Sequence, residues 1–223
     1  MTEMSKPRPV VAVFDFDGTI TYADSFLPFL RECAGFFGFW LRMIVLFPVL
    51  VMQASGMTPN DRAKARVLKS FLAGRDRKWA EEISAAFMPR LRGLLNPLAM
   101  DRLKWHRDEG HRLILLSASP ENYLQHWAIA EGFETVLATR LEEQNGRFTG
   151  AMDGENCHGA EKVVRLKAEL GEFDQYEIYS YGDSRSDKVL LDLIDHSAYR
   201  SFEGGSRLFY KIGALTRFLR ALI

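Results

Sequence analysis

An unbroken apolar run, Pro9-Val10-Val11-Ala12-Val13-Phe14, stands near the start of the chain. It is β-branched and leaves no polar position for a solvent-facing side, so it predicts a central parallel strand covered on both faces. The run stops at Asp15-Phe16-Asp17-Gly18-Thr19, which sets two carboxylates at the strand's C-terminal end. Helical patterning then dominates residues 25–95, with breaks expected at Gly56-Met57-Thr58-Pro59, Ala73-Gly74 and Met88-Pro89. An amphipathic helix at 98–109, closed by Gly110, leads into a second strand at 112–116 that ends at Ser117-Ala118-Ser119-Pro120. Residues 136–139 read as a short strand, and 141–152 as a hairpin turning at Asn145-Gly146. A helix at 160–170 precedes a strand at 177–181 ending in Gly182-Asp183-Ser184; an edge strand at 196–202 and a helix at 208–222 complete the pattern.

Alternating strands and helices predict an α/β fold, a doubly wound (Rossmann-like) parallel-sheet core with an inserted helical cap. The expected core is residues 1–21 and 96–223, and the cap is 22–95. Three strands end in chemically useful residues, and in such sheets ligands sit outside the carboxyl ends of the strands at the topological switch point. Asp15 and Asp17, Ser117 and Asp183 are therefore expected to converge.

Composition narrows the partners. Twenty-nine basic residues balance twenty-nine acidic ones in 223, so no global field recruits nucleic acid. Cys33 and Cys157 form no ligand cluster or disulfide framework, which favours free thiols in a reducing cytoplasm. Residues 1–9 are polar and lack an apolar core, so no signal peptide is expected and a cytoplasmic location follows.

An aspartate that attacks phosphorus splits one hard displacement into two easier ones. It needs a second carboxyl to protonate the leaving oxygen and later activate water. It needs Mg²⁺ on oxygen ligands, and hydroxyl and ammonium donors around the phosphoryl oxygens. Asp15 and Asp17 supply the carboxyls, Ser117 a hydroxyl, Lys162 a point charge at the start of a helix, and Asp183 with Asp187 the remaining acidic metal environment. Singly, each has an ordinary reading: an Asx-turn, a helix cap, a solvated lysine, a turn. Four in this order, three of them at strand ends, are hard to reconcile with chance.

These four motifs, Asp15-Phe16-Asp17-Gly18-Thr19, Ser117, Lys162 and Gly182-Asp183-Ser184-Arg185-Ser186-Asp187, resemble those of the haloacid dehalogenase superfamily. The insertion between the first two resembles subfamily IB, which includes phosphoserine phosphatase and carries a type C1 cap. The resemblance implies a phosphatase with Asp15 as nucleophile and Asp17 as acid/base, the latter also meeting Mg²⁺ through its backbone carbonyl. It implies phosphate contacts from Thr19, Ser117, Ala118 and Lys162, and metal contacts from Asp15, Asp17, Asp183 and Asp187. Asp24 and Arg66 match positions where phosphoserine phosphatases contact the substrate amine and carboxylate. Ser117-Ala118-Ser119 departs from their usual Ser-Gly-Gly, so Ser119 is expected to alter the substrate pocket, and Ser186 replaces an asparagine. The expected partner is a small phosphorylated substrate, phosphoserine-like or histidinol phosphate-like. A catalytically silent relative would have lost a motif residue, and Asp15, Asp17, Lys162 and Asp183 are all present.

The stretch at residues 33–60 is largely apolar, carries one charge, Arg42, and is long enough to span a bilayer, which needs ~20 residues. It reads as a buried helix pair in the cap bundle, or as a helix on an anionic membrane surface, with seven basic residues against two acidic ones following at 61–78. The second reading fits a resemblance to the phosphatidylglycerophosphatase branch and a lipid-phosphate substrate. It would place the protein at the inner face of a membrane.

Overall fold

A computed structural model describes residues 7–57 and 59–202. The helix expected at 208–222 lies outside the described residues. The strands are β1 (Val10–Phe14), β2 (Arg112–Pro120), β3 (Thr135–Thr139), β4 (Leu141–Gln144), β5 (Arg147–Met152), β6 (Glu177–Gly182) and β7 (His196–Tyr199). Five of them form one parallel sheet in the order β3-β2-β1-β6-β7, while β4 and β5 make a separate antiparallel hairpin. The helices are α1 (Phe26–Ala54), α2 (Asn60–Leu72), α3 (Arg77–Arg92), α4 (Pro97–Asp108), α5 (Glu121–Ala130), α6 (Ala160–Leu170) and α7 (Lys188–Leu191).

Strand periodicity divides the core into two layers. Val11 and Val13 join Ile114, Leu116 and Ile178 on the face covered by Leu166 and Leu170 of α6 and Leu190 of α7. Ala12 and Phe14 join Leu113, Leu115 and Tyr181 on the face covered by Leu103 of α4 and Tyr123 and Trp127 of α5. Phe14 is fully buried, stacks on Tyr181 at 4.5 Å and meets Phe133 and His106 edge-on. Burying one such ring stabilises the fold by ~1.5–3 kcal/mol. Helices on both faces make the sheet doubly wound. From β1 the chain goes first to β2 and β3 on one side, then to β6 and β7 on the other, which puts the switch point between β1 and β6.

The chain leaves the sheet at 20–22 and returns at 94–96 along the same track. The Tyr22 N–H donates to the Leu94 carbonyl (2.9 Å) and the Asn96 N–H to the Ile20 carbonyl (2.8 Å). Between these crossings lie α1, α2 and α3. Phe29 of α1 stacks on Tyr123 of α5 at 4.4 Å, and Phe87 of α3 meets both rings edge-on, so α1 and α3 dock on α5 through aromatic contacts. The hairpin turns through Asn145 (φ 52°) and Gly146 (φ 72°), as the Asn-Gly pair requires. Its Phe148 exchanges backbone hydrogen bonds of 2.8 Å with Gly74 and Arg75, tying the hairpin to the α2–α3 link.

Three sequence expectations need correction. Pro89 does not break α3, because it lies one turn from the helix end and forfeits a single backbone bond there. The buried helix pair expected at 33–60 is one helix, α1, kinked at Gly35 (φ 67°), and the outer side of its second half is exposed. Helix α5 was not anticipated. Cys33 and Cys157 are both free thiols.

Candidate active site

Asp15 follows β1 directly, and its N–H extends the ladder to the Tyr181 carbonyl (2.9 Å). Its carboxylate therefore emerges at the switch point. Lys162, in the first turn of α6, spans the strand ends: Nζ donates to Asp15 Oδ1 (2.7 Å) and to Asp187 Oδ1 (2.6 Å). All three groups are buried. Burial alone would depress the Lys162 pKa, but Asp15 and Asp187 outweigh it and hold the amine protonated, above the usual lysine range. Burial likewise opposes ionisation of Asp187, yet Lys162 and the Ser184 donors win and bring its pKa down to about 2. The Ser184 N–H (2.8 Å) and Oγ (2.6 Å) and the Asp183 N–H (3.2 Å) all donate to Asp187 Oδ2.

Two glycines permit this crowding. Gly18 has φ +86°, and a Cβ there would stand 2.2 Å from Asp183 Oδ2; a Cβ on Gly182 would stand 2.7 Å from Asp187 Cβ. The bare Cα atoms leave room for both carboxylates.

Asp17 faces the other way. Its Oδ1 accepts from the Ser25 N–H and Ser25 Oγ, both at 2.6 Å, and its Oδ2 accepts from Ser119 Oγ. Ser25 Oγ also meets Tyr123 OH at 2.9 Å. The hydroxyl of Ser119 is thus spent on Asp17. Ser117 Oγ accepts from the Ser119 N–H (3.1 Å), which shapes the loop after β2. Thr19 Oγ1 is buried without a hydrogen-bond partner among the described residues.

Asp17, Asp24, Lys64, Ala118, Ser119 and Asp183 line a cavity of about 650 Å³. Asp24 has a second duty, since its Oδ2 accepts the Leu27 N–H (3.0 Å) at the start of α1. Arg66 is exposed and is not among the lining residues; Lys64, two positions earlier, is buried and is. Lys64 Nζ donates to the Ala118 carbonyl, to Asn156 Oδ1 (2.5 Å) and to Thr139 Oγ1 (3.3 Å). Asn156 Nδ2 in turn donates to Asp61 Oδ1 (3.0 Å). Burial lowers the Lys64 pKa to about 7 against the pull of Asp61, Asp17 and Asp24. Lys64, Ser25 and Asn156 were missed in the sequence. For Lys64 a signal existed: it interrupts the buried stripe of Ala63, Val67, Leu68 and Phe71 on α2.

The haloacid dehalogenase-like hydrolase family matches residues 12–192. The chain belongs to that family. The Caulobacter vibrioides protein CicA is 32% identical over 209 residues, covering 92% of this chain and 91% of CicA. A solved structure of a Bordetella pertussis protein of unknown function superposes with a TM-score of 0.75 at 25% identity, covering 85% of this chain and 89% of that one. A substrate-bound phosphoserine phosphatase superposes with a TM-score of 0.58 at 14% identity, covering 87% of each chain, which is a likeness of fold.

For a hydrolase of this family the acidic cluster is the natural metal seat. Oxygens of Asp15, Asp183 and Asp187 lie within 4.8 Å of one another. The donors are all hard oxygens, and Lys162 offsets one of three negative charges, so a divalent cation such as Mg²⁺ fits in both ligand type and charge. The carboxylate of Asp17 lies outside this cluster, with its oxygens held by Ser25 and Ser119.

Proposed function

We propose that this chain is a Mg²⁺-dependent phosphomonoester hydrolase that passes through an aspartyl-phosphate on Asp15, with residues 22–95 as the cap over the site. One observation carries the reading: a buried aspartate held by a protonated lysine clusters with two further carboxylates, one of which, Asp183, lines a cavity together with Asp17.

Asp15 attacks phosphorus, the ester P–O bond breaks, and Asp17 gives its proton to the departing oxygen. Water then attacks phosphorus, Asp17 takes the water's proton, and the Asp15–phosphorus bond breaks to release inorganic phosphate. Lys162 holds the Asp15 carboxylate in place for attack, while Thr19 Oγ1 and the Ser117 loop offer donors to the phosphoryl oxygens. Bound Mg²⁺, held by Asp15, Asp183 and Asp187, supplies charge neutralisation between the carboxylates and the phosphate.

The cavity volume and its mixed lining, which includes Asp24 and Lys64, support a small phosphomonoester that carries an amine, of the phosphoserine or histidinol phosphate kind. A second reading, a phosphorylated lipid, is favoured by the exposed apolar side of α1. The deciding experiment is a turnover screen of the purified protein with Mg²⁺ against phosphoserine, histidinol phosphate, glycerol phosphate, sugar phosphates and phosphatidylglycerophosphate. Turnover should vanish with chelator, return with Mg²⁺, and be lost by at least ~10³-fold in Asp15→Asn. Chelator-insensitive turnover, or an active Asp15→Asn, would sink the mechanism.

A further inference from the structure

The second half of α1 is apolar on two sides at once. Phe39, Leu46 and Leu50 are buried against the protein. On the opposite side Phe37 is 85% exposed, Ile44 and Val45 70% each, and Trp40, Leu41 and Phe47 more than half. At ~100° per residue these six fall within an arc of roughly 160°, and every position in that arc from 36 to 52 is apolar. The half-helix is ~25 Å long at 1.5 Å per residue. Monomeric soluble proteins rarely leave a contiguous apolar face of this extent to water.

Arg42, the one charge on this half-helix, is turned inward. Its Nε donates to the Ser70 carbonyl of α2 (2.9 Å) and its guanidinium lies over the Phe71 ring (5.5 Å). The outer face is therefore free of charge, while its surroundings are basic. Residues 26–78 hold nine basic and three acidic residues, and with the inward Arg42 and the buried Lys64 set aside the balance is seven to three, a net +4. Among the basic groups, Arg62, Arg66 and Lys69 stand exposed on α2, which packs alongside α1. Arg31 lies over the Phe36 ring (5.2 Å) at the kink.

From this pairing of an uncharged apolar face with a +4 surround, we infer that α1 docks the protein in the plane of an anionic lipid bilayer. The apolar arc enters the acyl boundary, and the flanking arginines and lysines lie at the headgroups. The helix lies on the membrane rather than across it, because Phe39, Leu46, Leu50 and Arg42 are committed to α2 and the core. It is not a removable leader, since β1, the middle strand of the sheet, precedes it. A second copy of the chain is a poorer occupant, because a two-fold pairing of these faces would bring two +4 regions together. The docking does not depend on the substrate, so it stands or falls apart from the proposed chemistry.

The test is co-sedimentation of the full chain with vesicles of phosphatidylcholine alone and of phosphatidylcholine mixed with phosphatidylglycerol. We expect binding to the mixed vesicles, weakened by salt, and at least ten-fold tighter than to phosphatidylcholine alone. Ile44→Glu and Phe47→Glu, both at exposed positions, should each weaken binding by ten-fold or more. Val164→Glu, at an exposed apolar position on α6, should leave it unchanged. Absence of binding to the anionic vesicles overturns the inference, as does binding indifferent to Ile44→Glu in a protein of unchanged far-UV spectrum. Self-association in the absence of lipid, abolished by the same substitution, would assign the face to a second copy and overturn it equally.

Discussion

Replacing Gly18 with alanine should separate backbone strain from site geometry. The substitution puts an L side chain at φ +86° and a Cβ 2.2 Å from Asp183 Oδ2, 2.6 Å from its Cγ and 2.9 Å from Oδ1. Ordinary contact begins near 3.4 Å, so the nearer oxygen must retreat by about 1.2 Å. The left-handed backbone costs about 1–2 kcal/mol, equivalent to a fall in Tm of roughly 2–8 °C for a chain of this size. Displacing a catalytic group by ~1 Å costs on the order of 10²-fold in rate, so the activity loss should far exceed what stability explains. Gly110→Ala is the matched control: φ is +72°, the residue is exposed, and nothing lies within 4 Å of the added Cβ. Both variants should lose stability by calorimetry, Gly18→Ala by at least as much as Gly110→Ala, since it also displaces a buried carboxylate. Only Gly18→Ala should lose about 100-fold in kcat/KM for an aryl phosphate and need more Mg²⁺ for half-maximal rate. Equal losses in the two variants, or Gly18→Ala within three-fold of wild type, would refute the claim that Gly18 exists to admit Asp183.

Two other predictions follow from buried titratable groups. The Lys64 ammonium has three N–H donors for three acceptors, and the neutral amine above about pH 7 has only two, so kcat/KM should fall as pH rises through that value. In Lys64→Met that limb should be missing and kcat/KM should be lower at pH 6; a limb that survives the substitution belongs to another group. His106 is buried between His111 and Tyr181, and burial, with the neighbouring His111 and Arg102, lowers its pKa to about 4 from an ordinary 6.5. Between those values the unfolded chain binds the extra proton and the fold does not, so stability should decline as pH falls from 6.5 toward 4. His106→Gln should flatten that decline in Tm, and an unchanged slope would discount His106 as its source.

The parts legible in the sequence were those whose chemistry depends on strand ends. Asp15, Lys162, Asp183 and Asp187 meet because a parallel sheet delivers the C-terminal ends of β1 and β6 to one place, and periodicity alone marks such strands. Arg66 was singled out by its spacing in a family resemblance. It lies 200° around α2 from Lys64 at ~100° per residue, so a two-residue step turned the side chain from the cavity to solvent. The helix stripe of Val67 and Phe71 located the inner face, and a charge on that stripe was the better clue. Helix α1 was illegible for the opposite reason. A pattern apolar on both sides carries no polar side to mark water, so composition could not say which half was buried. The inward turn of Arg42 depends on contacts with Ser70 and Phe71 of α2 that no local window contains.

The paired crossings at residues 20–22 and 94–96 have a consequence for how such a protein diversifies. Helix α4 lies after the return crossing, so β1, α4 and β2 already make a complete strand–helix–strand unit without the inserted helices. The insertion enters and leaves through one gap closed by the Tyr22–Leu94 and Asn96–Ile20 bonds. Its length, polarity and docking behaviour can therefore be rewritten wholesale while the sheet keeps its register. Lineages are free to inherit one reaction and trade the compartment and the molecule on which it is performed.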